Sequence, residues 1–237
     1  IPFWAFSGSY IKDLILDEGV EEIDSVAFYG CESLRSVILP STVKNVRDDA
    51  FGDCENLKDV TFKSEDIVFD ARAFRVSIPI GEPNEYGYYD KLDYSCSTNL
   101  NPLVFEKVGH SLVGWRTEAV NGADKALEAF FDADDLTPFA SPEYCGEWAY
   151  DEQLEAEVGY NVIPVIEKNK YVIEFDSNGG LSVDNIEVAY DSAYGELPVP
   201  ERTGYTFAGW YNGETLVTSE TVTGVGNQSL VAKWTAN

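Results

Sequence analysis

The sequence predicts a mainly β protein, a solenoid of 23-residue period followed by small β modules. Three observations carry that reading. Across the first third of the chain Ile11, Leu34 and Leu57 recur in step, as do Phe28, Phe51 and Phe74, and Cys31 and Cys54. A fixed period of this size is the mark of stacked repeats. In the last third, short apolar segments alternate with Gly-rich and Asn-Gly turns, the pattern of paired strands. No apolar run approaches the roughly 20 residues of a membrane span, and the longest have strand length.

The first segment, about residues 1–75, carries the repeat. Two full copies read IKDLILDEGVEEIDSVAFYGCES (11–33) and LRSVILPSTVKNVRDDAFGDCEN (34–56). Their first, fourth and sixth positions are apolar: Ile11, Leu14 and Leu16; Leu34, Val37 and Leu39; then Leu57, Val60 and Phe62. That spacing fits a short strand facing a solenoid core, with Pro40 ending one strand. The second half of each repeat supplies Val20, Ile23, Ala27 and Phe28, matched by Val43, Val46, Ala50 and Phe51, to fill the opposite wall. One repeat cannot bury both faces alone, so stability must come from stacking on neighbours.

The pattern L-x-x-[VI]-x-L, then V-x-x-[IV], then AF-x-x-C-x-x-L resembles the BspA-like leucine-rich repeats of bacterial and protist surface proteins, over about residues 4–75. The third copy departs from it. Asp66 stands where Val20 and Val43 stood, and the Cys is lost over residues 75–77, so the solenoid is expected to end there.

The last segment, about 171–237, reads YVIEFDSNGG, IEVAY, ELPVPERTGYTFAGWYNGE and SLVAKW. This is a strand and Gly-rich turn, a second strand, a Pro-punctuated loop before an aromatic strand, and a closing strand. The order F-D-x-N-G-G, L-P-x-P-x-R-x-G-Y-x-F-x-G-W, A-K-W resembles the Listeria-Bacteroides repeat, or internalin B-repeat. Phe175, Gly179, Gly180, Pro198, Pro200, Gly204, Tyr205, Phe207, Gly209, Trp210 and Trp234 stand at the pattern's positions. The resemblance implies a small β-grasp-like module of bacterial surface proteins, repeated between an adhesive domain and the cell wall.

The middle, about 76–170, is expected to be a divergent copy of that module. Gly109, His110, Leu112, Gly114 and Trp115 align with Gly204, Tyr205, Phe207, Gly209 and Trp210 at a constant offset of 95. YNVIPVI (160–166) is the expected closing strand. Residues 116–159 are read as an insertion, with a short helix at ADKALEAFF.

Chemistry is sparse. Forty-two acidic against 16 basic residues give a net charge of −26, and the acids are scattered through apolar segments, as on a soluble surface. Nucleic acid and anionic membrane are poor partners for such a chain, and no segment here is expected to insert in a membrane. The single histidine, His110, is the one imidazole base a catalytic triad could use, and it is expected to be structural. His110 takes an aromatic packing position. Cysteines at 31, 54, 96 and 145 lack zinc-ligand spacing, and no phosphate-cradling G-x-x-x-x-G-K occurs. Asp132, Asp134 and Asp135 form the tightest acidic cluster and read as a solvated loop, without a calcium-loop pattern. Cys31 and Cys54 read as free buried thiols, whereas pairing of Cys96 with Cys145 in an oxidising compartment stays open. Tyr205, Phe207, Trp210 and Tyr211 read as core of a small module. The chain is therefore expected to have no catalytic residue, metal or cofactor.

The best candidate binding face is the outward side of the repeat strands: Lys12, Asp13 and Ile15; Arg35, Ser36 and Ile38; Lys58, Asp59 and Thr61. Ile15 and Ile38 in line would form an apolar stripe with charged edges. The chain begins with Ile, lacks methionine, and carries Ala5, Phe6 and Gly8 like the end of an earlier repeat. It reads as part of a larger extracellular bacterial surface protein. Its expected activity is binding of a host or neighbouring-cell protein or glycan through the repeats, the β modules being spacers or secondary contacts. The alternatives are a carbohydrate-binding module with exposed Trp115 or Trp210, and a structural stalk.

Overall fold

A computed structural model describes residues 1–76, 78–80, 91–93, 103–141, 144, 149–151 and 156–237. Cys96 and Cys145 lie outside the described residues. The protein is mainly β, and its backbone falls into two compact units, residues 1–108 with 112–166 and residues 109–111 with 167–237.

In the first unit each repeat gives one strand to each of two sheets. β1 (Asp13–Ile15), β3 (Ser36–Leu39) and β5 (Asp59–Phe62) pair in parallel, Asp13 opposite Ser36 and Ser36 opposite Asp59. β2 (Glu22–Ile23), β4 (Asn45–Val46) and β6 (Val68–Asp70) form the second parallel row, with Ile23 opposite Val46 and Val46 opposite Phe69. Equivalent residues are stacked, so like packs on like. Phe6, Phe28, Phe51 and Phe74 form a column with ring centroids 5.3, 5.3 and 5.7 Å apart and ring planes nearly parallel. The backbone bonds Phe28 N–H to Ala50 O (2.8 Å) and Phe51 N–H to Ala73 O (2.9 Å) set this spacing.

The cysteines are part of the same ladder. Cys31 and Cys54 are buried free thiols, as their sequence positions suggested. Cys31 Sγ donates to Phe6 O at 3.3 Å and Cys54 Sγ to Phe28 O at 3.2 Å, so each thiol satisfies a carbonyl of the preceding repeat. The adjoining Cys31 sulfur and burial push the Cys54 thiol up, which keeps it protonated.

The segment expected to be a separate middle module folds with the repeats instead. β7 (Ile78–Ile80) and β8 (Lys91–Asp93) form an antiparallel pair. β9 (Val104–Glu106) then extends the first sheet in parallel beside β5. β10 (His110–Val120), β11 (Phe130–Asp132), β12 (Ala149–Asp151) and β13 (Ala156–Lys168) extend the second, in the order β11-β10-β13-β6, with β12 on β13. The parallel register ends at β6, because β13 joins it antiparallel, Val162 opposite Phe69.

The physical reason is the open end of the stack. Phe69 and Phe74 need cover, and Phe105, Trp115 and Phe139 supply it, with Phe105 and Trp115 centroids 4.7 Å apart and Phe74 and Phe105 5.5 Å apart. Lys107 Nζ caps the Lys63 and Ser64 carbonyls at 2.5 and 3.3 Å. YNVIPVI lies in β13 as expected of a strand. The helix expected at ADKALEAFF is a single 3-10 turn, Lys125–Leu127, because Phe130 and Phe131 are drawn into pairing with β10; a short α1 follows at Thr137–Ala140.

A buried ionic cluster sits in the last turns of the repeats. Arg75 Nε donates to Asp49 Oδ1 at 3.0 Å, and its Nη2 donates to Asp49 Oδ2. Arg72 Nε donates to Asp70 Oδ1 at 3.1 Å and lies 3.1 Å from Asp48 Oδ1, an ion pair without hydrogen-bond alignment that leaves this buried oxygen without a donor. Burial, then the adjacent Asp49 charge, push the Asp48 carboxyl up to about 7. Its folded value exceeds its unfolded one, so this carboxyl's contribution to stability is complete at low pH and is lost as pH rises through about 4 to 7. Asp48→Asn should stabilise the protein by about 1–4 kcal/mol at pH 8 and by little below pH 4, measured by denaturant unfolding at both values. Equal shifts at both pH values would refute the assignment.

The second unit is a sheet of β14 (Lys170–Asp176), β15 (Ile186–Ala189), β16 (Tyr205–Asn212), β17 (Thr215–Val217) and β18 (Gln228–Ala236), in the order β15-β14-β18-β16-β17. Only the central β14-β18 pair is parallel. Its core is Ile173, Val188, Tyr194, Trp210, Val217, Leu230 and Ala232, with Phe175, Phe207 and Trp234 packed on it. Gly180 is required here: a Cβ would stand 2.6 Å from Trp234 Cζ2 and 3.0 Å from Glu201 O.

Candidate binding face

The parallel register of the first sheet brings six of the nine candidate residues, Asp13, Ile15, Ser36, Ile38, Asp59 and Thr61, onto one side, with the other three exposed just before the strands. Val37, Leu39, Val60 and Phe62 turn into the core, so alternation sends their neighbours outward. The result is three rows running across the strands. One is Asp13, Ser36 and Asp59; the next is Ile15, Ile38 and Thr61. The third, Lys12, Arg35 and Lys58, lies just before the strands and is held by Arg35 N–H to Lys12 O (2.7 Å) and Lys58 N–H to Arg35 O (2.9 Å). All three cations are exposed. Ser36 Oγ donates to Asp13 Oδ1 at 2.7 Å, and Ile15 is 68% exposed whereas Ile38 is half-buried.

Two residues of this face were not foreseen. Val104 of β9 continues the Asp13 row and Glu106 the Ile15 row. Alternating Leu103 and Phe105 marked a strand, but no period linked it to the repeats. Leu103, beside Lys58, is buried, so the cationic row stops at three.

The other candidates take structural places. His110 packs edge-on against Tyr190, with centroids 5.6 Å apart. Asp135 Oδ1 accepts the Thr137 N–H (2.9 Å) at the start of α1, and Asp132 lies opposite Gly114 in the β10-β11 pair. Trp115 and Trp210 are 0% and 1% exposed, and their indole N–H groups donate to Ala133 O (3.3 Å) and Pro198 O (2.7 Å). Neither presents a ring to a sugar. Phe207 packs between Trp210 and Trp234, whereas Tyr205, expected in the core, is exposed and Tyr211 half-buried, because they lie under Arg202 and Lys233, each cation 3.9 Å from the ring centroid.

Comparison with known proteins agrees with this order of parts. Residues 1–84 match the BspA type leucine rich repeat region, and residues 171–233 match the Listeria-Bacteroides repeat domain. The chain is 40% identical over 139 residues, 57% of its length, to a protein of Evansella cellulosilytica provisionally named a Gly-rich membrane protein. It is 28% identical over 144 residues, 60% of its length, to a second protein of that organism, provisionally named a membrane protein. It spans 13% and 18% of these relatives' lengths. Among the described residues no helix is long and apolar enough to cross a membrane.

Proposed function

We propose that this chain is a non-enzymatic, extracellular part of a bacterial surface protein and mediates adhesion by binding a partner on the outer side of the first sheet. In this reading the repeats form a leucine-rich-repeat solenoid, and residues 171–237 form a β-grasp-like module serving as spacer or secondary contact. The observation that carries it is the alignment of six exposed or half-buried side chains into polar and apolar rows on one sheet face, with a row of three exposed cations just before its strands. A regular face of this kind binds through many weak contacts, and tandem copies raise avidity.

The test is binding of the whole chain to arrays of host matrix proteins and glycans, with Ile38→Asp as the probe variant. A saturable hit weakened at least tenfold by Ile38→Asp supports the face. Binding that ignores Ile38→Asp, Ser36→Tyr and Arg35→Glu alike would move the site elsewhere, and no saturable binding at all would favour the stalk.

A further inference from the structure

Among the six arginines, five have evident internal partners. Arg47 pairs with Glu22 at 2.6 Å, Arg116 with Glu118 at 2.9 Å, Arg72 and Arg75 with buried aspartates, and Arg202 stacks on Tyr205. Arg35 has neither an ion pair nor a ring partner among the described residues, although the chain carries 42 carboxylates. The same holds for Lys12 and Lys58 on either side of it. Directly stacked strand positions lie about 4.8 Å apart, so three like charges stand in line, an arrangement that mutual repulsion disfavours. Next to them run the acceptors Asp13, Ser36 and Asp59, and then the aliphatic Ile15 and Ile38.

We infer that this face, read as the binding face above, takes an anionic glycan of the uronic acid class. Carboxylates of successive sugars meet Lys12, Arg35 and Lys58; sugar hydroxyls donate to Asp13, Asp59 and Ser36; the C–H faces of the rings rest on Ile15 and Ile38. Like charges recurring about every 4.8 Å across the strands match an extended chain that carries one charge per unit. Carboxylate sugars fit better than sulfated ones. A uronate keeps free hydroxyls and one charge per residue, whereas a densely sulfated chain would set extra negative charge against the Asp13 and Asp59 row.

The experiment is calorimetric titration of the whole chain with an oligogalacturonate hexamer, a heparin hexasaccharide, neutral maltohexaose and a poly-glutamate peptide. Wild type is compared with Arg35→Gln, Lys12→Gln plus Lys58→Gln, and Ile38→Asp, each checked for an unchanged melting temperature. Binding of the galacturonate hexamer, absent for maltohexaose, weakened about tenfold by Arg35→Gln and weakened by added salt, supports the inference. Equal affinity for neutral and acidic hexamers overturns it, as does binding confined to heparin or to poly-glutamate. If a partner from the arrays binds in a way that Ile38→Asp abolishes and the cation variants leave unchanged, the face stands and the uronate assignment falls. If Ile38→Asp leaves that binding unchanged too, both fall.

Discussion

Replacing Phe51 with alanine should cost the first unit about 3–5 kcal/mol in denaturant unfolding followed by far-UV circular dichroism. Phe51 is 1% exposed and lies between Phe28 and Phe74 in the ring column, so truncation opens a void that the rigid backbone ladder on either side cannot collapse. Phe6, at the head of the column, is 45% exposed and has one stacking partner, Phe28, so Phe6→Ala should cost clearly less. A Phe51→Ala loss below about 1 kcal/mol, or one no larger than that of Phe6→Ala, would mean that the column does not hold the repeats together.

Arg75→Ala should be comparably severe, about 3–5 kcal/mol at neutral pH, because it leaves the Asp49 carboxylate buried without its paired guanidinium. Burial already holds Asp49 above the usual carboxylate range, and Arg75 is the main influence drawing it back. Without Arg75 that carboxyl rises further, so the variant's deficit should be largest at neutral pH and shrink as acid protonates it. Adding Asp49→Asn should restore part of the loss, since the stranded charge is removed while its shape is kept. Unfolding titrations of the single and double variants near pH 7 and pH 5 check both points. A pH-independent deficit that Asp49→Asn does not relieve would show that Arg75 acts through packing of its stem, not its charge.

Much of the repeat architecture was legible because its cause is local and periodic. A residue type that recurs in step must stack on its own copies, so Phe28, Phe51 and Phe74 had to form one column, and Val37 and Val60 had to turn inward while Arg35 and Lys58 did not. The last sheet was legible for a similar reason: turn residues such as Gly179, Gly180 and Gly204 and the tryptophan-bearing strand mark its elements one by one. The G-x-x-x-x-G-W run of the middle segment also builds the same local unit in both places. In each, the tryptophan strand pairs with a short hairpin strand, Trp115 opposite Phe131 and Trp210 opposite Val217.

What that local unit joins could not be read from it. Strand pairing depends on which edge is open and which apolar side chains need cover, and both belong to the assembled stack. Residues 104–106 and 156–168 therefore complete the sheets of the repeats instead of standing as a separate module. The same holds for charge. Sequence alone determined that the chain is strongly acidic, that its first part repeats, and that Lys12, Arg35 and Lys58 occupy equivalent positions. The tertiary structure alone decided that Arg72 and Arg75 are consumed by buried aspartates and that Val104 and Glu106 lengthen the face. It also decided that Arg35 stands in line between two lysines without an ion-pair partner among the described residues, since pairing is set by distances between residues that sequence spacing does not encode.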